Sequence, residues 1–317
     1  MLLVVLTSLL FLPLLLSGQA FGRAVSGYAT PLGVALLVGS FAFGLGMQTA
    51  DACASGTLYH TGGGDVRGLL TLGGFLAGSL LGTYRWDRWM AAPHLPAVLL
   101  LHSLGPAGAV AVQLVLAGGV AALTLVLERR RYGEAVRILV LPGSGKMAGR
   151  AGWSLAAGAA GLAVANFLTL LVAGRPWGIT SAFALLAAKA FGALGGSPGA
   201  WAYWRIPANA QALRTSVWAD VTTVMDLGAI LGALLAAAVA GRFPRPYLRR
   251  VRVRTAAGAV LGGVLMGWGA RLAFGCNIGA FVSGVASFSL HGWVWFAFAL
   301  LGSRLGVKLR PLFGYAA

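Results

Sequence analysis

The sequence predicts an all-α polytopic membrane protein with about eight or nine transmembrane helices and additional short re-entrant helices or loops. Apolar residues make up 58% of the 317 positions, whereas charged residues make up only 10%. Several apolar stretches are long enough to cross a hydrocarbon core about 30 Å thick. In lipid, every backbone N–H and C=O must be paired within the protein, and the alternating pattern of an outer-membrane barrel is absent. We therefore expect these stretches to be helices.

Eight full spans are predicted from the hydropathy of the chain. They lie near residues 2–20, 29–48, 66–84, 110–127, 153–173, 216–240, 255–273 and 292–309. The first stretch has no basic segment before it, so we expect it to be retained as a span, although Gly18 and Ala20 would suit a signal peptidase.

The distribution of positive charge orients these spans. The net charge is +17, and basic residues form three groups that each flank a span. The groups are Arg129, Arg130, Arg131, Arg137, Lys146 and Arg150; Arg242, Arg245, Arg249, Arg250, Arg252 and Arg254; and Arg304, Lys308 and Arg310. Because basic residues collect on the cytoplasmic side of membrane proteins, we place these groups and both termini there. Contact with membrane lipid fits this charge, and the absence of a recognition motif disfavours nucleic acid.

This orientation requires two segments to enter the membrane and return on the same side. Residues 174–215 must begin and end outside, and 174–195 is too short for two crossings. The same holds for residues 274–291. Non-helical backbone at membrane depth is tolerated only where protein or a polar pathway covers it, so both segments are expected to pack against protein or to line such a pathway.

Two segments share one pattern and contain the only two cysteines of the chain. Residues 44–56 are GLGMQTADACASG and residues 267–279 are GWGARLAFGCNIG, and both fit G-x-G-x-x-x-A-x-x-C-x-x-G. The match indicates an internal duplication with one thiol at the same point of each half. The predicted halves are residues 1–131, shortened at the N-terminus, and residues 153–317, joined by a cytoplasmic loop at 132–152.

An inverted duplication would bring the two motifs together. In that case residues 49–65 dip into the membrane from the cytoplasmic side, opposite to residues 274–291. The two loops then meet near the midplane, each with one cysteine, as in transporters built from inverted repeats.

A cysteine in a glycine-rich helix break can serve close packing alone, since free cysteine packs as a small apolar residue. The equivalent placement of Cys53 and Cys276 favours a functional role instead. A thiol is a soft donor suited to sulfur, and the free N–H groups at a helix break suit a negative charge. The expected substrate is therefore an anion that carries sulfur.

Polar residues inside the predicted spans extend this hypothesis. Arg271 lies in the second motif, and Gln48 occupies the same position in the first. Because a charge inside the membrane is costly, it usually faces a partner or a pathway. Arg271 is thus expected either to attract the substrate or to form a salt bridge with an aspartate such as Asp226. No close Cys/His cluster is present, so neither a metal site nor a cofactor is expected.

Four segments resemble the YeeE/YedE sulfur-transport family of bacterial inner membranes. They are GLGMQTADACASGTLYHTGGGDVRG, GRPWGITSAFALLAAK, ADVTTVMDLGAILGALLAA and GWGARLAFGCNIGAFVSGVASFSLHGWVW, and the resemblance covers residues 35–310. It implies an hourglass-like transporter, not an enzyme, that takes up thiosulfate past a narrow centre by transient S–H hydrogen bonds. It also implies a small cytoplasmic sulfur-carrier protein, similar to TusA, as a partner. The predicted substrate pathway comprises Cys53, Cys276, Gly56, Gly279, Arg271, Gln48, Asn277, Ser55 and Thr180.

One family element is not matched, and other functions stay open. Family members usually carry a further cysteine segment of the type G-F-x-x-x-R-x-x-F-C, which has no counterpart in this chain. Either the chain starts further upstream, or two cysteines suffice for transport. The alternative hypotheses are a thiol–disulfide oxidoreductase in which Cys53 and Cys276 form a redox disulfide, a transporter of another sulfur or selenium oxyanion, and a scaffold for a cytoplasmic sulfur enzyme. The first is disfavoured because the close C-x-x-C pair of such enzymes is absent.

Overall fold

The computed structural model of the chain describes residues 1–133, 154–241 and 251–315, and these residues are predominantly helical. Most of the predicted cytoplasmic loop at 132–152 lies outside the described residues, as do the basic residues between 242 and 250.

The helices fall into three groups along the chain. Before the first gap they are α1 (Leu2–Ser17), α2 (Val34–Ala50), α3 (Ala54–Gly62), α4 (Val66–Thr83), α5 (Trp86–Met90) and α6 (Leu100–Tyr132). Between the gaps they are α7 (Leu155–Ala173), α8 (Thr180–Ala193), α9 (Ala202–Arg205), α10 (Pro207–Arg214) and α11 (Val221–Val239). The last group is α12 (Val253–Leu272), a π-helix (Asn277–Ser283), α13 (Gly284–Ala286) and α14 (Leu290–Leu309).

Short elements connect these helices. 3₁₀ turns occur at Pro198–Ala200, Val217–Ala219 and Arg310–Phe313. The strands are β1 (Gln19–Ala20), β2 (Arg23–Ala24), β3 (Leu32–Gly33) and β4 (His94–Leu95), and they form the antiparallel pairs β1–β2 and β3–β4.

All eight predicted spans coincide with helices, namely α1, α2, α4, α6, α7, α11, α12 and α14. Five stretches of the described residues are long and apolar enough to cross a membrane on their own: α2 with α3, α4, α6, α7 and α11. The pair formed by α12 and residues 277–286, bent by 41°, makes a sixth if it is counted as one span. The prediction of an all-α polytopic membrane protein is therefore confirmed.

Local chemistry sets the helix boundaries. α1 ends at Ser17 because Gly18 adopts the left-handed conformation that closes a helix, with φ 67°. α11 begins later than residue 216, where its span was predicted to start, because Asp220 caps it. The Asp220 carboxylate accepts hydrogen bonds from the backbone N–H and the hydroxyl of Thr223, each at 2.8 Å.

Contacts divide the chain into two compact units. The first unit comprises Met1–Ala29, Ala97–Trp177 and Val282–Leu290. Within it α1 packs against α7, and the side chains of Phe11 and Leu170 are fully buried. Each unit draws on both of the predicted halves, and the half-repeat boundaries stay a prediction.

Buried polar side chains join the helices of the first unit. Gln113 of α6 donates to the Ser8 hydroxyl of α1 at 2.7 Å and to the Val285 carbonyl at 2.8 Å. Asn166 of α7 donates to the Ser283 hydroxyl at 3.1 Å. Interhelical hydrogen bonds in membranes contribute about 0.6 kcal/mol each on average, so such bonds fix helix orientation more than they add stability.

The second unit comprises Thr30–Pro96, Gly178–Phe281 and His291–Ala317, and in it α12 packs against both α2 and α4. This unit contains both cysteine motifs. Its core cluster includes residues of α2, α3, α4, α8, α12 and α14. The contacts of α12 therefore decide where the two motifs lie.

Glycines allow α12 and α2 to touch backbone to backbone. A Cβ atom on Gly262 would lie 2.6 Å from the Gly46 carbonyl oxygen, and a Cβ atom on Gly46 would lie 2.6 Å from the Gly262 carbonyl oxygen. Gly39 and Gly269 approach each other in the same way. Lipid is as apolar as the side chains, so membrane helices associate through close packing of small residues.

The glycine contacts between α12 and α4 recur between α2 and α14. Gly267 of α12 faces the Phe75 carbonyl of α4, and Gly44 of α2 faces the Ala299 carbonyl of α14. Since Gly44 and Gly267 are equivalent motif positions, the contact repeats together with the motif. Two further contacts repeat as well. The contact of Gly78 on α4 with Val264 on α12 corresponds to that of Gly302 on α14 with Phe41 on α2. The contact of Gly82 with Arg271 corresponds in the same way to that of Gly306 with Gln48.

Replacing Gly269 with alanine is expected to destabilise the protein. The added Cβ would lie 2.5 Å from the Gly39 carbonyl oxygen and 2.9 Å from the Phe43 backbone nitrogen, so α2 and α12 must separate. We expect a loss of about 1–3 kcal/mol, typical of overpacking, seen as a lower midpoint of thermal unfolding in detergent.

Gly232→Ala on α11 is the matched control. A Cβ atom at Gly232 would meet no atom within 4 Å, and alanine stabilises a helix relative to glycine by about 1 kcal/mol. The midpoint of thermal unfolding should therefore stay the same or rise. Equal losses in the two variants would contradict the account of backbone contact between α2 and α12.

Candidate functional site

The first helix break separates α2 from α3 and contains Cys53. α2 ends before Asp51, whose φ of 58° is left-handed, and the helix resumes at Ala54. Cys53 is the N-cap of α3. Its Sγ accepts a hydrogen bond from the Gly56 N–H at 3.3 Å and lies 3.3 Å from the Ser55 hydroxyl oxygen. A half-buried thiol therefore lies at the positive end of a helix.

The second break follows α12 and contains Cys276. Phe274 in this break has a left-handed φ of 60°, and the chain continues as the π-helix. Cys276 is 1% exposed and directly precedes the π-helix, as Cys53 directly precedes α3. Each cysteine therefore lies immediately before the start of a helix, so the local arrangement repeats.

The two breaks and the start of α8 meet in one packed cluster. Ala54 at the start of α3, Ile179 before α8 and Cys276 before the π-helix all belong to it. Cys276 lies within electrostatic range of Cys53 and of Asp226 on α11. Three helices therefore start at the same core cluster, and free N–H groups and helix dipoles at such starts favour an anion.

Arg271 adds a buried positive charge to this region. Its side chain is 7% exposed, and its guanidinium donates to the hydroxyls of Tyr203 at 2.9 Å and Thr180 at 2.5 Å. Both partners are neutral, and its Nε has no hydrogen-bond partner in the described part of the chain.

Of the two alternatives for Arg271, the salt bridge with Asp226 is not found among the described residues. The ion pairs among the described residues do not include Arg271, whose terminal nitrogens donate to two hydroxyls. The guanidinium charge is therefore not neutralised by a described carboxylate. A buried cation without a counter-ion is costly, which points to an anionic ligand.

Gln48 occupies the position equivalent to Arg271 in a different electrostatic setting. Its Oε1 accepts a hydrogen bond from Arg310 at 3.4 Å. Arg310 also pairs with Asp51 at 2.8 Å, and Asp51 lies 3.8 Å from Arg67. The first break is therefore surrounded by charges that compensate each other.

Two further residues of this region have buried polar atoms without a hydrogen-bond partner in the described part of the chain. These atoms are Oδ1 of Asn277 and both carboxylate oxygens of Asp226, which is 4% exposed. Most buried polar atoms in proteins are hydrogen-bonded, so these atoms need an explanation. In the described ranges, no group of three or more His, Cys, Asp and Glu residues could hold a metal ion, and both cysteines are free thiols.

Tyr203, one of the two partners of Arg271, was missed by the sequence analysis. It lies on the four-residue helix α9, which is too short for a periodic pattern. A tyrosine beside Trp201 and Trp204 is also typical of an aromatic anchor at the membrane interface.

Comparison with known proteins decides the family. The family model described as sulphur transport matches residues 1–305. The chain belongs to the sulphur transport family. The YeeE/YedE resemblance is confirmed, and the protein is a member of a transporter family with several membrane-spanning helices.

Individual relatives agree with this family. The thiosulfate transporter TsuA of Spirochaeta thermophila is 30% identical over 295 residues, covering 84% of this chain and 74% of that protein. The probable transporter YedE is 31% identical in Escherichia coli and 32% identical in Salmonella typhimurium, in each case over 144 residues. These two matches cover 45% of this chain and only 34% of each relative's length.

The two thiols are expected to differ in reactivity. Maleimide attack needs access to the sulfur, and Cys53 is half-buried whereas Cys276 is 1% exposed. In native membranes, a Cys276→Ala protein, which retains Cys53, should be labelled at least about tenfold faster than a Cys53→Ala protein. Labelling after denaturation, which exposes both thiols, is the control. Equal rates in the native protein would contradict the described burial of Cys276.

Proposed function

We propose that the protein is a thiosulfate transporter in which the anion passes between Cys53 and Cys276. The observation that carries the proposal is the meeting of two thiols, three helix N-termini and the buried charge of Arg271. The relationship to the thiosulfate transporter of Spirochaeta thermophila supports the same substrate.

The charges in this region suit a divalent anion. A helix N-terminus contributes about 0.3–1 kcal/mol of attraction to a negative charge, whereas dehydrating an ion costs several kcal/mol. Three N-termini alone are therefore too weak, and a full positive charge is needed. Arg271 supplies it, with Thr180 and Tyr203 fixing the guanidinium between α8 and α9.

The thiols suit the terminal sulfur of thiosulfate. An S–H group donates a weak hydrogen bond, which holds a soft sulfur briefly and then releases it. Transport requires sites that bind strongly enough to admit the ion and weakly enough to let it leave. In the proposed relay the anion moves from Cys53 to Cys276, or the reverse, without a covalent step. The Gly56 N–H group anchors the sulfur of Cys53, and Gly279 is the equivalent motif residue beside Cys276. Ser55 and Asn277 offer further polar atoms.

The repeated glycine contacts support an inverted repeat as the framework of this relay. Residues 1–131 and 153–317 are the proposed halves, and each supplies one break with one thiol. Broken helices that meet at the interface of two inverted halves are the usual substrate site of secondary transporters.

The proposed function also includes a membrane location and a protein partner. We place the protein in the bacterial inner membrane with both termini in the cytoplasm, because Arg129, Arg130 and Arg131 end α6 and Lys308 lies in the last turn of α14. A small cytoplasmic sulfur-carrier protein similar to TusA is the proposed acceptor of the imported sulfur.

Transport explains the site better than disulfide exchange. A redox pair must be reached by an external oxidant or reductant, and Cys276 is 1% exposed. The buried charge of Arg271 has no role in thiol–disulfide exchange, whereas an anion path requires it.

Loss of either thiol is expected to abolish thiosulfate uptake. The assay uses labelled thiosulfate and a bacterial strain without its own sulfate and thiosulfate importers. Cys53→Ala and Cys276→Ala should each reduce uptake at least about tenfold, because each removes the donor at one step of the relay. Membrane levels of each variant are measured in parallel.

Thr124→Ala, on an exposed part of α6, is the control for expression and should leave uptake unchanged. Uptake that survives both cysteine substitutions would contradict the relay. A wild-type protein that moves no thiosulfate would contradict the substrate, and selenium or other sulfur oxyanions would then be tested.

A further inference from the structure

The proposed relay leaves one buried charged group of the second unit unexplained. Asp226 lies near the start of α11, is 4% exposed, and has no hydrogen-bond partner for either carboxylate oxygen among the described residues. An ionised carboxylate in that state would be among the least favourable groups a membrane protein can contain. A residue retained at this cost normally serves a function.

Helical periodicity shows which way Asp226 faces. Thr222, one turn earlier, accepts a hydrogen bond from Ser181 of α8 at 3.1 Å. Ala229 and Ile230, one turn later, pack against the core cluster that contains Cys276. Residues four apart share a helix face, so Asp226 lies between these contacts, on the face directed at α8 and the breaks.

Charged groups on α11 and α8 are engaged elsewhere. On α11, Asp220 uses its carboxylate to cap Thr223. On α8, Lys189 donates to the carbonyls of Leu213 and Thr215 at 2.8 and 2.7 Å. Neither element therefore supplies a cation that pairs with Asp226.

The groups on α3 and at the breaks do not neutralise this carboxylate either. His60 faces Asp65 at 3.8 Å, and Tyr59 is 63% exposed. Arg271 binds two hydroxyls, and the thiols of Cys53 and Cys276 carry no positive charge. An ionised Asp226 would therefore repel a divalent anion at the breaks, whereas a protonated Asp226 is neutral and donates an O–H hydrogen bond.

We infer that Asp226 is the proton-binding group of the transporter, and that thiosulfate and a proton cross the membrane together. This inference rests on the proposed transport function. The proton comes from water on the entry side, occupies one carboxylate oxygen while the anion is at the breaks, and leaves to water on the cytoplasmic side with the anion. The carboxylate is thereby regenerated, and no bond other than O–H forms or breaks.

The test uses the purified full-length protein in liposomes with labelled thiosulfate at equal concentrations inside and outside. Valinomycin and equal potassium hold the membrane potential at zero, and the outside is made one pH unit more acidic. One proton per anion then allows the wild type to accumulate thiosulfate up to about tenfold. Because accumulation by a symporter does not depend on its orientation in the bilayer, mixed insertion does not affect the result.

Asp226→Asn is the decisive variant. Asparagine has the same shape and is always neutral, so this protein should still equilibrate thiosulfate but should not accumulate it. Asp226→Glu, which keeps an ionisable group, should retain coupling. Asp87→Asn, at an exposed aspartate of α5, is the matched control and should accumulate thiosulfate as the wild type does.

Each outcome separates this inference from the proposed function. If the wild type equilibrates thiosulfate but does not accumulate it in the pH gradient, proton coupling is overturned and the transport function stays intact. Accumulation by Asp226→Asn equal to that of the wild type would overturn the role of Asp226. A wild type that does not equilibrate thiosulfate at all would overturn the proposed function and this inference with it. If Asp226→Asn fails to fold, Asp226→Ala is the second neutral variant: it should equilibrate thiosulfate without accumulating it, and accumulation equal to that of the wild type would overturn the role of Asp226.

Discussion

Direct backbone contact between α2 and α12 is the constraint on which the candidate site depends. Helices separated by ordinary side chains have axes about 8–10 Å apart. The glycine pairs Gly46–Gly262 and Gly39–Gly269 remove the side chains that would enforce that separation. The helices run antiparallel, since Gly39 near the start of α2 meets Gly269 near the end of α12. The two cysteine-bearing breaks therefore approach the shared core cluster from opposite ends of this pair, and the glycine contacts fix the distance between them. The motif glycines therefore position the thiols as much as the residues around them do.

The repeated scaffold carries unequal charges. The same helix contacts surround Gln48 and Arg271, but the first break has an aspartate balanced by Arg310 and Arg67, whereas the second has an arginine bonded only to hydroxyls. An anion is therefore attracted more strongly to the second break than to the first. The helix contacts around the two motifs are therefore alike, and a few polar residues make their electrostatics differ.

Patterns that depend on neighbouring residues in the chain could be predicted from the sequence. Hydropathy located eight helices, and the repeated motif singled out Cys53 and Cys276. Pairings between distant segments could not be predicted in the same way. Arg271 had an aspartate as its obvious partner in the sequence, yet Thr180 and Tyr203 surround it in space.

The unpartnered carboxyl group of Asp226 could not be predicted from the sequence either. A single aspartate in an apolar helix is compatible with an ion pair, a cap or a free carboxyl, and only the positions of all neighbours distinguish these. The absence of a hydrogen-bond partner in the described part of the chain is a property of the tertiary structure. The residues next to Asp226 in the sequence therefore do not indicate that its carboxyl group lacks a partner.

The most direct test of the account is the position of the bound anion. Selenosulfate, in which selenium replaces the terminal sulfur of thiosulfate, can be located in crystals of the complex by anomalous diffraction. The account predicts a selenium peak at the junction of the two breaks, within about 4 Å of a cysteine sulfur, with anion oxygens on the side of Arg271. A selenium site remote from both Cys53 and Cys276 at full occupancy would contradict it.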